Sequence, residues 1–183
     1  MENDIFDPKN SKTNGYHLSF IPSGNVFNDF QDIIYKLAKK YNGVIFEPHV
    51  TLLARIPELK EPDLFEKTKQ LVEIMEPIQI ELKEIVTEDA YFRSLYCKAE
   101  PNVKLDRYHQ KGLEMFSMQE TNAYTPHLSL YYGNVNETVK QEMIKSLLLP
   151  TNMKFLVDKV YLYETKGEVG AWKRIGEYFL RYK

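Results

Sequence analysis

Pro48-His49-Val50-Thr51-Leu52-Leu53 and Pro126-His127-Leu128-Ser129-Leu130-Tyr131 are one phrase written twice. Each runs proline, histidine, an aliphatic residue, a hydroxyl residue, leucine. Both sit in runs with strand character. In a strand successive side chains alternate faces, so residues two apart share one. His49 and Thr51 therefore share a face, and so do His127 and Ser129. Val50, Leu52, Leu128 and Leu130 point the other way, into a core. A proline heading each run suits a strand start, where its missing N–H does little harm. Each strand thus presents an imidazole and a hydroxyl on an apolar backing.

The flanking sequence is built twice as well. Gly15–Pro22 reads as a strand and holds a third His-x-Ser, His17-Leu18-Ser19, without the leading proline or the following leucine. His17 either reaches the rim of the site or is a partly buried strand residue. Val26, Phe30, Ile33, Ile34, Leu37, Ala38 and Tyr41 form a helical stripe that Asn42-Gly43 stops. The first histidine strand is expected over 44–54 and a helix over 62–75, with Pro62 in its first turn. Ile78, Ile80 and Leu82 alternate with polar residues and predict a strand to Val86. Tyr91–Ala99 reads as the next strand, with Arg93 on the face of Leu95 and Cys97, and Phe92 on the other. A helix follows over 103–118, on which Arg107 and His109 read as a solvated face. The second histidine strand is expected over 125–133. A helix over 137–148 starts behind Asn136, and strands over 153–164 and 171–181 flank a turn at 167–170. Residues 1–14, polar and aperiodic, read as a disordered tail, and 15–183 as a single domain. Strand, helix, histidine strand, helix occurs in 15–75 and again in 91–148. This order predicts an α+β fold of two pseudo-symmetric lobes, each offering one histidine strand to a shared cleft.

The 183 residues, 43% of them hydrophobic, suffice for one domain with a sizeable core. A net charge of −2 gives no overall basic character, so no stable nucleic-acid partner is expected. The single cysteine, Cys97, excludes an intrachain disulfide and suits a reducing compartment. It reads as a small core residue rather than a nucleophile. No run reaches the length of a membrane span and no apolar leader follows the start Met. The expectation is a monomer in the cytoplasm, or the nucleus as well, with no membrane partner.

Imidazole titrates near neutrality, so of two facing imidazoles one can be neutral and the other protonated. That is a base and an acid across one cleft. Hydroxyls beside them can donate to anionic oxygens. A tetrahedral phosphate fits: in-line displacement needs a base on the attacking oxygen, an acid on the leaving oxygen and donors on the rest. Zinc would want a third matching ligand, and Glu47 and Asp89, the nearest carboxylates, lack that arrangement. No Gly-x-Ser-x-Gly elbow and no glycine-rich phosphate loop occurs. No metal and no cofactor is expected.

Four stretches carry a family resemblance: Phe46–Leu52, Tyr91–Tyr96, Thr125–Tyr132, and Tyr161–Thr165 with Trp172. The chain resembles the 2H phosphoesterase superfamily, named for two His-x-[Thr/Ser] elements, and within it the cyclic phosphodiesterase branch. The resemblance implies two antiparallel sheets around a water-filled groove. It implies metal-independent opening of a ribose cyclic phosphate: ADP-ribose 1″,2″-cyclic phosphate, or nucleoside 2′,3′-cyclic phosphates giving 2′-phosphates. Carried over, His49 and His127 are the acid–base pair, and Thr51 and Ser129 bind the phosphate. A tyrosine after the second motif contacts substrate in this branch, and Tyr132 stands at its place. Strand parity from His127 puts Tyr132 on the face of Leu128 and Leu130. It reaches the groove only where the strand ends or bends, and Tyr131, on the opposite face, is the alternative. Where the branch has aromatic-Gln-Cys, this chain has Phe92-Arg93-Ser94, so Arg93 either pairs with a substrate phosphate or is a surface arginine. Rival readings are an RNA-end-processing enzyme of the superfamily (a 2′,5′-ligase or oligonucleotide phosphodiesterase) and a non-catalytic nucleotide-binding module.

Overall fold

The computed structural model describes residues 9–119 and 123–182. In chain order its elements are β1 (Tyr16–Phe20), α1 (Gly24–Tyr41), β2 (Val50–Ile56), α2 (Glu61–Glu73), β3 (Ile78–Thr87), β4 (Leu95–Ala99), α3 (Val103–Met115), β5 (His127–Tyr131), α4 (Glu137–Ser146), β6 (Lys154–Val157), β7 (Lys159–Glu164) and β8 (Lys173–Phe179). The strands lie in the order β6-β3-β4-β5-β2-β1-β7-β8, every neighbouring pair antiparallel. Four strands fall on each side of the β5–β2 seam, where the register holds the single pair Val50↔Leu128. The α+β, two-lobed expectation holds. The units β1-α1-β2-α2 and β4-α3-β5-α4 are the two copies, and they place the two histidine strands side by side at the centre.

Alternation builds the core beneath them. Leu18, Phe20, Val50, Leu52, Leu128 and Leu130 are all buried and join one cluster with Phe30, Ile33 and Leu37 of α1 and Leu105 of α3. The helices cross over: α1 packs on β5 and α3 on β2, so each lobe covers the other's histidine strand. Local signals set the helix ends. Asn42 ends α1 in the left-handed region (φ 54°), and its N–H reaches the Ala38 carbonyl. The Asn102 side chain accepts from the Lys104 and Leu105 amides at the start of α3, and Asn136 does so from Val139 at α4. Cys97 is buried and, as expected, part of the core. No helix among the described residues is long and apolar enough to cross a membrane.

Three expectations change. The segment expected as one strand over 153–164 is two strands on different lobes. β6 pairs with β3 and β7 with β1, and the chain crosses at Asp158, whose carbonyl takes the Leu180 amide. Periodicity reports that a residue is extended, not which edge it joins. Tyr91–Arg93 is a 3-10 turn rather than strand, closed by Arg93 N–H on Ala90 O (3.2 Å) and Glu88 N–H on Arg93 O (3.2 Å). Finally, β2 starts at Val50, because Pro48 has no N–H to give a ladder. Of the expected tail, 1–8 lies outside the described residues. Thr13 pairs with Gly167, so this part of the segment is bound to the fold.

Candidate active site

His49 stands one residue before β2, and His127 is the first residue of β5. The antiparallel seam brings both onto a groove of about 690 Å³, whose walls include His17, Thr51, Phe92, Arg93, His109, Tyr132 and Trp172. The two rings are fixed in the same way. His49 Nδ1 lies 2.6 Å from the Glu47 carbonyl and His127 Nδ1 lies 2.8 Å from the Thr125 carbonyl, each two residues back. A carbonyl only accepts, so each Nδ1 carries the proton and each Nε2 keeps its lone pair. The proline between carbonyl and histidine holds the segment extended, which brings the carbonyl under the ring.

Both imidazoles are poised neutral. Burial lowers the His49 pKa, with the Glu47 carbonyl and carboxylate opposing it. Burial also takes His127 down to about 4, against the Thr125 hydrogen bond and with help from the Arg93 and His49 charges. An anion arriving between them reverses the balance for whichever ring it touches.

The hydroxyls differ. Thr51 lines the groove, whereas Ser129 is buried and donates to the Phe92 carbonyl at 3.0 Å. Ser129 also neighbours the phenol of Tyr132, whose oxygen is 3.4 Å from His49 Nε2. Tyr132 reaches the groove because β5 ends at Tyr131, which releases it from strand parity. Its ring stacks on Phe46 at 3.8 Å. Tyr131, the alternative, turns away: its hydroxyl donates to the Tyr41 carbonyl at 2.9 Å. Its ring fills space that a Cβ at Gly43 or Gly133 would invade. Arg93 does line the groove, but Nη2 is 2.5 Å from Glu88 and 3.0 Å from the Tyr96 hydroxyl. Arg93 thus stands in the groove wall, half-buried, with one nitrogen of its guanidinium held in an ion pair with Glu88. Phe92 lines the groove too, which strand alternation forbade and the 3-10 turn permits.

Two histidines were placed too far out by sequence. His109 is 9% exposed rather than solvated. Its Nδ1 is 2.7 Å from the Leu52 carbonyl and its ring stacks on Tyr124 at 3.8 Å. The signal was present: Leu105, His109 and Leu113 repeat at four residues and share a helical face. His17 goes beyond the rim, being 7% exposed and parallel to the His49 ring at 5.5 Å. Glu47 was noted for its charge alone, yet its carbonyl orients His49. Among the described residues no group of three His, Cys, Asp or Glu side chains is placed to share a metal ion.

Residues 15–180 match the family described as cyclic phosphodiesterase-like protein. The chain belongs to that family. With it the chain joins the 2H phosphoesterase superfamily, and the fold agrees. A putative phosphoesterase of Oceanobacillus iheyensis, OB1230, is 28% identical over 160 residues, covering 84% of this chain and 91% of the relative. Escherichia coli LigT, solved with 3′-AMP, superposes with a TM-score of 0.63 at 12% identity, covering 91% of this chain and 98% of LigT. TT0787 of Thermus thermophilus gives 0.63 at 15% identity, covering 92% and 98%. These two structures share the fold of this cyclic phosphodiesterase-like chain.

Proposed function

We propose that the chain is a metal-independent cyclic phosphodiesterase that hydrolyses a ribose cyclic phosphate, of a nucleoside (2′,3′) or of ADP-ribose (1″,2″). The observation that carries the reading is the matched pair of imidazoles, each with Nδ1 on a carbonyl and Nε2 toward one groove. One Nε2 takes a proton from water as the water oxygen bonds to phosphorus. The ring P–O bond breaks, and the other imidazole gives its Nε2 proton to the leaving ribose oxygen. In a nucleoside cyclic phosphate the product is a 2′-phosphate with a free 3′-hydroxyl. Since burial disfavours the charged form of both rings, the phosphate's own charge lets one of them take up the second proton. Thr51 donates to a non-bridging oxygen. Ser129 does so once it turns from the Phe92 carbonyl.

Tyr132 is placed to hold the substrate oxygen nearest His49. Tyr132→Phe keeps the ring stack on Phe46 and removes one neutral hydrogen bond, so kcat/KM is expected to fall about 2- to 10-fold. An unchanged value assigns the phenol to packing alone.

The deciding assay is hydrolysis of 2′,3′-cyclic AMP and ADP-ribose 1″,2″-cyclic phosphate in excess EDTA. Turnover of either in chelator, giving a monoester and no released inorganic phosphate, is expected. Loss of turnover in EDTA with recovery on added metal overturns the metal-free mechanism. Inactivity on both compounds, with binding of oligonucleotides, moves the RNA-end-processing reading ahead.

A further inference from the structure

The reaction above uses two of the four histidines on the groove, and His17 is one of the two it leaves idle. His17 comes from β1, the strand next to His49's own. Its ring is parallel to the His49 ring (5.5 Å, 22°), packs on Tyr163 at 4.8 Å, and meets Trp172 edge-on at 5.2 Å. Tyr163 in turn donates its hydroxyl to the Glu47 carboxylate, and the Glu47 carbonyl takes the His49 Nδ1–H. The contacts close a circuit from His49 through Glu47, Tyr163 and His17 back to His49. Arg174 braces it, 2.6 Å from Glu47 and 3.2 Å from the Tyr163 hydroxyl.

Each half of the circuit removes one freedom of the His49 ring. The Nδ1 bond opposes a flip that would exchange the two nitrogens. The stacked ring opposes a tilt that would carry Nε2 off the reacting oxygen. The other lobe also sets an anchored aromatic ring against its motif histidine. Tyr96, on the strand next to β5, packs its ring on His127 at 4.8 Å. The Tyr96 hydroxyl is held by Glu88 (2.6 Å) and Arg93 (3.0 Å). Each motif histidine thus meets a ring from the adjoining strand: His17 lies nearly parallel to His49 with Glu47, Tyr163 and Arg174 behind it, and Tyr96, itself anchored by Glu88 and Arg93, is tilted by 57° on His127. What the two lobes share, an anchored ring from the adjoining strand against each motif imidazole, points to what the ring does: it supports the imidazole.

We propose that His17 is a positioning residue for His49, a flat wall that holds the ring with Nε2 toward the substrate. The proposal rests on the acid–base reading of His49. The groups facing His49 are the Glu47 carboxylate, the Tyr132 hydroxyl at 3.4 Å and His17 itself, with Tyr163 and Arg174 behind and His127 across the groove. His17 serves as a neutral face, since burial and the neighbouring His49 charge hold its pKa well below the usual value. Two charged rings at this spacing would repel.

The test compares His17→Ala with His17→Phe, the second keeping a ring where the other lobe uses Tyr96. In His17→Ala kcat is expected to fall about 10- to 100-fold, the cost of a misaimed group, with KM moving far less. The acid limb of kcat/KM shifts upward, because water reaching His49 relieves the burial that disfavours its proton. His17→Phe restores most of the rate and the limb. An alanine variant within twofold of wild type in both respects overturns the proposal. So does a phenylalanine variant as impaired as alanine, since the nitrogens rather than the ring face then matter. Where His17→Ala does not fold, His17→Phe decides alone: near-wild-type kcat supports the proposal and a loss beyond tenfold overturns it. NMR titration of the His49 ring protons reads the same contact without turnover. If wild type hydrolyses no cyclic phosphate, the reaction fails. The inference then stands on a higher His49 midpoint in His17→Ala than in wild type, and falls on equal midpoints.

Discussion

His49→Ala and His127→Ala are each expected to lose about 10²- to 10⁴-fold in kcat on a ribose cyclic phosphate, with KM changed much less. The reason is the sharing of one proton transfer between two rings. Attack by water leaves a proton to remove, and the ribose oxygen cannot leave as an alkoxide. A site lacking either imidazole completes only half of the exchange. The two substitutions are therefore strongly non-additive, and the double variant should be only slightly worse than the poorer single one. Neither ring is part of the buried core, so both variants should fold. Single-turnover rates on purified wild type and the three variants measure this directly. A single variant keeping more than a tenth of the rate removes that histidine from the acid–base pair. Additive losses would mean two separate tasks rather than one shared proton path.

The second large effect is on stability. In the unfolded chain a histidine titrates near 6.5, while burial holds folded His127 at about 4. Above pH 6.5 both states are neutral there and the residue contributes no pH dependence. Between 6.5 and 4 the unfolded chain binds a proton that the folded one refuses, so stability falls as pH falls. Below about 4 the loss is complete. The full difference is at most roughly 3 kcal/mol for this residue, and groove water around the half-buried ring reduces it. His49 and His17 act in the same direction, since burial lowers both. Urea unfolding at pH 7.5, 6 and 4.5 should show a progressive decline in wild type and a shallower one in His127→Gln. Carboxylates also titrate toward the bottom of this range, so the comparison between the two proteins carries the result. Parallel curves would mean that the imidazole meets water freely in the folded state. An anion that binds the groove, inorganic phosphate for instance, should recover part of the loss by pairing with the charged rings.

Legibility followed the range of the forces involved. The helical stripe ending at Asn42 and the cap at Asn136 are local and read correctly. His109 was misplaced although its helix carried the signal. Its charged neighbours Arg107 and Lys111 drew the reading, while the Leu105–His109–Leu113 spacing was the better guide to burial. Arg93 and Phe92 were assigned opposite faces by strand parity, which fails because a turn at Ala90–Arg93 interrupts the strand. The split at Asp158 was invisible, since the edge position of β6 and the inner position of β7 accept the same extended, half-apolar pattern.

The sequence by itself determined the pair of histidine strands, the duplication that makes two lobes, and the hydroxyl beside each imidazole. All of these rest on periods of two or 3.6 residues and on residue chemistry. Only the tertiary structure decided the rest. It chose Tyr132 over Tyr131 by ending β5 between them, tied Arg93 to Glu88, put His109 in the groove wall, and stacked His17 on His49. Each of these depends on register between strands far apart in the chain, and register is set by packing that no local window contains.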